Sequence, residues 1–404
     1  MKIYYTGNLC RDERFNDIVK KSKSKPSAAG LVFENMLLSG FRGIDDLQID
    51  VRTYINQASF PNGKDLFVLP KTELLECGYK AKIIPTVNIN GLKQFFFKFF
   101  GFFDAFFWMR KNRGADACYL TYSVYGFMNS WALFWAKHYK IPACAIVPDL
   151  PCNHFEIRHV SGIKKFFSDS FLKDSLKCQE KFDAYVLLTE QMKEKINACR
   201  DNYIVVEGIC TPGVFPTLTG DTEKKEKAVM YAGMLCKKHR TDMLVDAFMR
   251  VKGKYKLWLF GSGDAEEYIK ECAKKDDRIV YFGRVPRETV LEYELRASLL
   301  VNVRDTAEQY TRYSFPSKTM EYMSSGTPLL TTRLSGIPRE YFDHVYTLED
   351  ETTEGLAKVL CDILALPQAE LSQKGRGAKR FVADNKNLHV QARKIYDFLK
   401  ELQS

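Results

Sequence analysis

Leu299–Glu340 reads LLVNVRDTAEQYTRYSFPSKTMEYMSSGTPLLTTRLSGIPRE, and the order of residue types in it decides the fold. LLVNV is a short run of apolar and β-branched residues, which predicts a buried strand. A polar loop follows, and Pro316 stands where a helix takes its first turn, since its locked φ and missing N–H are tolerated there. The predicted helix, 317–325, stops at Ser325-Gly326-Thr327-Pro328, and TPLLTT opens a second strand. Strand, helix and strand in this order make a βα unit of a parallel sheet. The helix then points free N–H groups outward beyond a strand's carboxyl end, a ready site for an anionic group such as a diphosphate. The backbone amides of Ser317 and Lys318 are the predicted donors, with Tyr313 and Ser314 on the loop leading in. Glu321 lies four residues into the helix, so its carboxylate projects near the same end and is suited to accept the two hydroxyls of a ribose.

The pattern extends both ways. AVMYAG, YKLWLFGSG and RIVYFGRV read as further strands, with helices at 241–251, 264–274, 287–296 and 353–365, a count that suits a Rossmann-like sheet. Glycine turns at Phe260–Asp264 and Phe282–Val285 outline one crevice, bringing Gly261, Arg284 and Val285 to it. Lys238 and Arg240 in CKKHRTD follow the strand AVMYAG and would neutralise a diphosphate. In the first half KIYYTG, CYLTYS, ACAIVPD, AYVLLT and YIVVEG are predicted strands, with KDLFVLP and YKAKIIPTV as a weaker pair. Turn formers at Thr211–Val214 and the polar stretch 219–228 mark a boundary. The expectation is an α/β chain of two Rossmann-like domains, 1–212 and 213–385, facing a central cleft. A last helix within 386–404 packs back on the first domain.

A chain of 404 residues with 46% hydrophobic and 27% charged residues is not disordered, collagen-like or mainly membrane-spanning. The formal charge of +10 favours anionic partners, but the basic residues are dispersed and no nucleic-acid readout motif occurs, so nucleic acid is not expected. Eleven cysteines without a C-x-x-C pair argue against a zinc ribbon and for a reducing compartment. The opening MKIYYTGNLCRDERF lacks the apolar segment of a signal peptide. Ala117–Ala136 carries no charge, yet its polar residues read better as a strand and a helix than as a membrane span.

One block is abnormal for a soluble helix. Residues 91–111, GLKQFFFKFFGFFDAFFWMRK, hold ten Phe or Trp residues between Phe95 and Trp108. On a helical wheel Gln94, Lys98, Gly101 and Ala105 share one narrow ridge and phenylalanines fill most of the rest. Such a helix must be largely buried, in protein or in the headgroup region of an anionic membrane, where aromatic residues flanked by Lys or Arg anchor. Phe99, Phe102, Phe103 and Lys98 are the predicted membrane contacts. Lys164 and Lys165 of IKKFFSDSFLKDSLK (163–177) are expected on the same side.

In its second half the sequence resembles the GT-B glycosyltransferases of the family-4, retaining type. The resemblance runs through YAGML, HRTDMLVDAF, LFGSGD, YFGRVP and YSFPSKTMEYMSSGTPLL, in that family's order and spacing. It implies that Gly261 and the Arg284-Val285 backbone lie by the nucleotide base, that Ser317 and Lys318 hold the diphosphate, and that Glu321 binds the ribose. Three of the chain's motifs depart from the family. Tyr313 stands at the first glutamate of its Glu-x7-Glu pair. Met234 and Arg240 stand where it has Arg and Lys, which leaves Arg240, alone or with Lys238, to carry the phosphate charge. Ser27-Ala28 replaces a glycine pair, and Ser27 would still reach the donor phosphate.

Sugar transfer needs a stabilised leaving diphosphate and a positioned acceptor hydroxyl, which helix-end amides and a cation supply without metal or cofactor. Asp149, in VPDLP after the strand ACAIV, is the predicted carboxylate near the reacting sugar; as the alternative, it is a turn former. His154 and His159 are weaker candidates. The expected activity is that of a hexosyltransferase-type enzyme moving a sugar, favoured as a UDP-sugar, to a lipid-linked saccharide. It would act from the cytoplasm, peripherally on the inner face of the cell membrane, in surface polysaccharide assembly. A nucleotide-sugar epimerase of the same fold and a degenerate non-catalytic subunit remain the alternatives.

Overall fold

A computed structural model describes residues 1–23, 26, 28–151, 163–196, 202–210, 213, 215–217 and 225–403, and of residues 163–168 the backbone alone. The chain forms two compact units, Met1–Ile209 with Leu388–Ser404, and Cys210–Asn387.

The first unit holds strands β1 (Lys2–Gly7), β2 (Gln48–Thr53), β3 (Phe67–Val68), β4 (Thr72–Leu74), β5 (Lys80–Ile83), β6 (Thr86–Val87), β7 (Ala117–Tyr122), β8 (Ala143–Val147), β9 (Ala184–Leu187) and β10 (Tyr203–Val205). Eight of them form one sheet in the order β10-β9-β8-β7-β1-β2-β5-β4, while β3 and β6 make a separate antiparallel ribbon. Every pairing in the large sheet is parallel except β4 with β5. β7 and β8 are buried along their whole length, as expected where both faces of a parallel sheet are covered. The final helix, Leu388–Glu401, packs against the helix Ala29–Phe41, and its Ala392, Ile395, Tyr396 and Leu399 enter this unit's core. Gly40 makes the approach possible, because a Cβ there would stand 2.1 Å from the Leu388 carbonyl oxygen.

Strand β2, QIDVRT, carries too much charge to read as a strand from its sequence. The aromatic helix, Leu92–Lys111, resolves this: its Trp108 Nε1 donates to Asp50 at 2.7 Å, and its Asp104 accepts from Arg52 Nε at 2.5 Å. Asp104 also accepts from Tyr4 Oη at 2.9 Å and Lys82 Nζ at 2.5 Å. Of the ridge read on the wheel for this helix, Gly101 and Ala105 face inward, and Phe99 and Phe103 face out. Its buried stripe is Phe97, Gly101, Ala105, Trp108 and Met109, and a Cβ on Gly101 would lie 2.8 Å from Tyr54 Oη. Phe95, Phe99, Phe100, Phe103 and Phe107 are exposed, joined by Trp131 and Phe134 of the neighbouring helix Gly126–His138. Phe102 differs from Phe99 and Phe103, since it is half-buried edge-on against Trp131 and Trp135. Among the described residues no helix is long and apolar enough to cross a membrane.

The second unit contains β11 (Glu226–Met234), β12 (Lys256–Ser262), β13 (Ile279–Gly283), β14 (Ala297–Asn302), β15 (Leu329–Thr332) and β16 (Tyr346–Leu348), all parallel, in the order β13-β12-β11-β14-β15-β16. The short edge strand β16 and the helix Gln368–Asn385 were not among the predicted elements. From β11 the chain runs outward through β12 and β13, then returns to β14 on the other flank of β11. Met234 and Asn302 thus end the two strands on either side of the switch point, the place where open α/β sheets bind ligands.

Candidate functional site

The helix Ser317–Ser325 begins beside this switch point. Asn302, the last residue of β14, donates from Nδ2 to Thr319 Oγ1 at 3.2 Å in the first helical turn. Tyr322 Oη bridges the main chain of Ala232 near the end of β11, accepting from its N–H at 2.8 Å and donating to its carbonyl at 3.2 Å. Pro316 caps the helix, its carbonyl accepting from the Thr319 N–H at 2.8 Å, and Gly326 ends it at φ +81°, a left-handed position that glycine adopts without strain. Among the described residues the backbone N–H groups of Ser317 and Lys318 find no acceptor. Ser317 is exposed, Ser314 and Lys318 are half-buried, and Tyr313 is buried.

Glu321 sits one turn in, half-buried, paired with the Lys318 ammonium and 3.5 Å from the Arg287 guanidinium. Burial opposes its ionisation, but the Lys318 ammonium first and then the Arg287 guanidinium outweigh that and hold it below the ordinary carboxylate value. Glu294, from the helix Arg287–Arg296, is fully buried, 3.5 Å from the same ammonium, and neither of its oxygens accepts a hydrogen bond. Burial and then the Glu321 charge push its carboxyl well above the usual range. The two carboxyls are pushed in opposite directions, which favours the charge on Glu321, the member beside the helix end. Sequence reading missed Glu294, because a glutamate in LEYELR looks like any surface position of a helix.

The two glycine turns form the rest of this end of the sheet. Gly261 lies at φ +124° opposite Gly233, where a Cβ would come within 1.8 Å of the Gly233 carbonyl oxygen. Arg284 is exposed and donates from Nε to Ser262 Oγ at 2.6 Å, tying the turn after β13 to the turn after β12; Val285 beside it is half-buried. Lys238 is exposed, its ammonium 4.1 Å above the Tyr310 ring.

Arg240 is placed differently from the expectation of a free phosphate cation. Its guanidinium pairs with Asp305 at 2.5 Å and Glu351 at 3.2 Å and donates to the Glu351 carbonyl at 2.8 Å. Those contacts stitch the segment between β11 and the following helix to two distant loops. Another arginine is present that the sequence reading passed over, although its place directly after LLVNV was a visible signal. Arg304 follows β14, half-buried, and no acidic side chain among the described residues pairs with it.

The remaining predicted residues lie in the first unit. Asp149 is exposed two residues beyond β8, and its charge is felt by the buried phenols of Tyr122 and Tyr125. Lys98 is not a free cation, since it pairs with Asp174 at 2.9 Å. Lys164 and Lys165 fall in the helix Ile163–Gln179, with side chains outside the described set, and Phe171 of that helix packs on Tyr125 and Phe127. Ser27, His154 and His159 lie outside the described residues.

Residues 226–365 match the family described as glycosyl transferases group 1. No curated protein sequence matches the chain. Among solved structures, sucrose-phosphate synthase from Thermosynechococcus elongatus superposes with a TM-score of 0.65 at 13% identity, covering 100% of this chain and 99% of that one. Anabaena Alr3699/HepE in complex with UDP and glucose gives 0.61 at 13%, covering 99% and 100%. The lipopolysaccharide outer core galactosyltransferase WaaB in its apo form gives 0.61 at 12%, covering 100% of both chains. Residues 226–365 thus form a glycosyl transferases group 1 domain over β11–β16, and the whole chain has the GT-B fold of these glycosyltransferase structures.

Proposed function

We propose that this enzyme transfers a sugar, with retention and without metal, from a nucleotide-sugar donor, UDP-sugar favoured, to a lipid-linked saccharide at the cytoplasmic face of a membrane, in surface polysaccharide assembly. The donor half rests on one arrangement. Two free amides open the Ser317–Ser325 helix, and a charged carboxylate stands one turn behind them. Amides at a helix end stabilise the charge that grows on a departing diphosphate, and Glu321 is suited to two ribose hydroxyls. Gly261 and the Arg284-Val285 backbone would border the base, with Tyr313 and Ser314 on the loop between. In the first unit Asp149 would lie near the reacting carbon.

The acceptor half rests on the aromatic helix. A segment that turns its aspartate inward and its phenylalanines outward leaves apolar surface that water does not solvate favourably. Headgroup-level lipid covers such rings, and a net charge of +10 adds attraction to anionic lipid. A second reading, a non-catalytic partner subunit, is favoured by Tyr313 being buried at the family's glutamate position and by Arg240 being engaged elsewhere. Incubation with labelled UDP-sugars and a lipid-linked acceptor separates the two. Transfer that persists in EDTA is the expected result; nucleotide binding with neither transfer nor donor hydrolysis supports the subunit, and reversible interconversion without acceptor an epimerase.

A further inference from the structure

Resting on the nucleotide-donor reading above, we propose that Arg304 supplies the positive charge for the donor's phosphates, in place of residues 234 and 240. A diphosphate next to the Ser317–Ser325 helix needs more than helix amides to balance its charge, and the cations around the β11/β14 switch point can be taken in turn. Met234 is apolar and exposed. The Arg240 guanidinium is neutralised by Asp305 and Glu351 within the fold. His239 accepts no role as a cation near neutral pH, because burial first and then the Arg304 charge push its imidazole down to about 4. Lys238 is exposed and sits above the Tyr310 ring.

Arg304 remains. Its main chain is fixed, the N–H donating to Thr332 Oγ1 at 3.1 Å at the end of β15. It stands two residues beyond Asn302, whose side chain reaches Thr319 in the first turn of the helix. The guanidinium lies within hydrogen-bond reach of the Tyr231 and Tyr310 hydroxyls and close to His239, so it sits among the side chains at the carboxyl end of β11 rather than out in solvent. Its Nε is buried and makes no hydrogen bond. A buried donor on a charged group without an acceptor is costly, and proteins rarely keep one unless something else completes it. The planar fork of an arginine matches two oxygens of a phosphate, and a diphosphate held by the amides of Ser317 and Lys318 would present them.

Calorimetric titration of the whole protein with UDP and with uridine tests this, comparing wild type, Arg304→Gln and Arg304→Lys. Removing a charge-assisted contact is expected to weaken UDP by about tenfold to a hundredfold in R304Q, with uridine binding unchanged. R304K, which keeps the charge but not the fork, should fall between. UDP affinity equal to wild type in R304Q overturns the inference, and so does a parallel loss of uridine, which would mean that Arg304 only shapes the fold. Should R304Q fail to fold, R304K decides: UDP weakened severalfold with uridine spared upholds the inference, and no selective change overturns it. Wild type that binds neither UDP nor uridine would instead overturn the nucleotide-donor reading itself, before any substitution is made.

Discussion

Two helices of this protein handle polarity in opposite ways. The Ser317–Ser325 helix keeps Tyr322, Met323 and Thr319 inside and presents its open amides, Ser317 and Glu321 at the end of the sheet. The Leu92–Lys111 helix keeps Asp104 inside, where Arg52, Lys82 and Tyr4 hold it, and presents a row of phenylalanines. The first is what water permits, an apolar side buried and a polar end left free for a ligand. The second costs free energy in water, and that cost is what the proposed membrane contact would relieve. A ligand site can thus announce itself by unused hydrogen bonds, and a docking surface by misplaced apolar area.

The contrast breaks most decisively on the aromatic side. Each phenylalanine moved from water to lipid contributes roughly 1.5–3 kcal/mol, so replacing Phe99, Phe103 and Phe107 together with Ser should lower partition onto phosphatidylglycerol vesicles by at least about a hundredfold. Flotation measures it, and the unfolding midpoint should not fall, since these rings face outward. Unchanged flotation would remove the membrane from the account.

A next smaller effect sharpens the claim that the first unit keeps its carboxyls inside. Glu34 is fully buried, accepting from Tyr5 Oη at 2.8 Å and the Asn8 N–H at 3.0 Å, yet burial raises it to about 8. A carboxyl raised on folding binds its proton more tightly in the folded chain. Its contribution is therefore full below the ordinary value near 4.5 and is lost as pH climbs through about 8. Wild-type stability should fall over that window, and Glu34→Gln, which cannot ionise, should flatten the fall. Parallel melting-against-pH curves would exclude Glu34 as the cause.

On the donor side, Glu321→Ala should weaken UDP by about tenfold or more while leaving the phosphate contacts in place. Unaltered affinity would take Glu321 out of the ribose site. Arg240→Gln should do the reverse, lowering the unfolding free energy by about 1 kcal/mol, discounted for its partial exposure, with UDP affinity nearly constant. A selective loss of UDP binding in that variant would return the phosphate role to Arg240.

The second unit was the legible half. Its strands β11–β15, its glycine turns and the helix behind Pro316 were predictable because each signal is local: a β-branched run, a turn former, a proline at a first turn. Two of its features were not. Glu294 becomes notable only because the fold closes over it beside Lys318, and Arg240 loses its expected freedom only because the chain brings residues 305 and 351 to it. In the first unit β2 escaped notice for the same reason, its charges being satisfied by a helix some fifty residues onward in the chain.

Composition and periodicity alone determined that this chain builds two α/β sheets, that a helix opens behind Pro316 in the second unit, and that one helix of the first is crowded with aromatic residues. Which face of that helix turns outward, which arginine is left without a carboxylate, and which glutamate keeps the proton were decided only in the folded chain. Helical spacing says which residues share a face, but the side that is buried is chosen by what lies opposite: here the Arg52 and Lys82 charges that Asp104 meets.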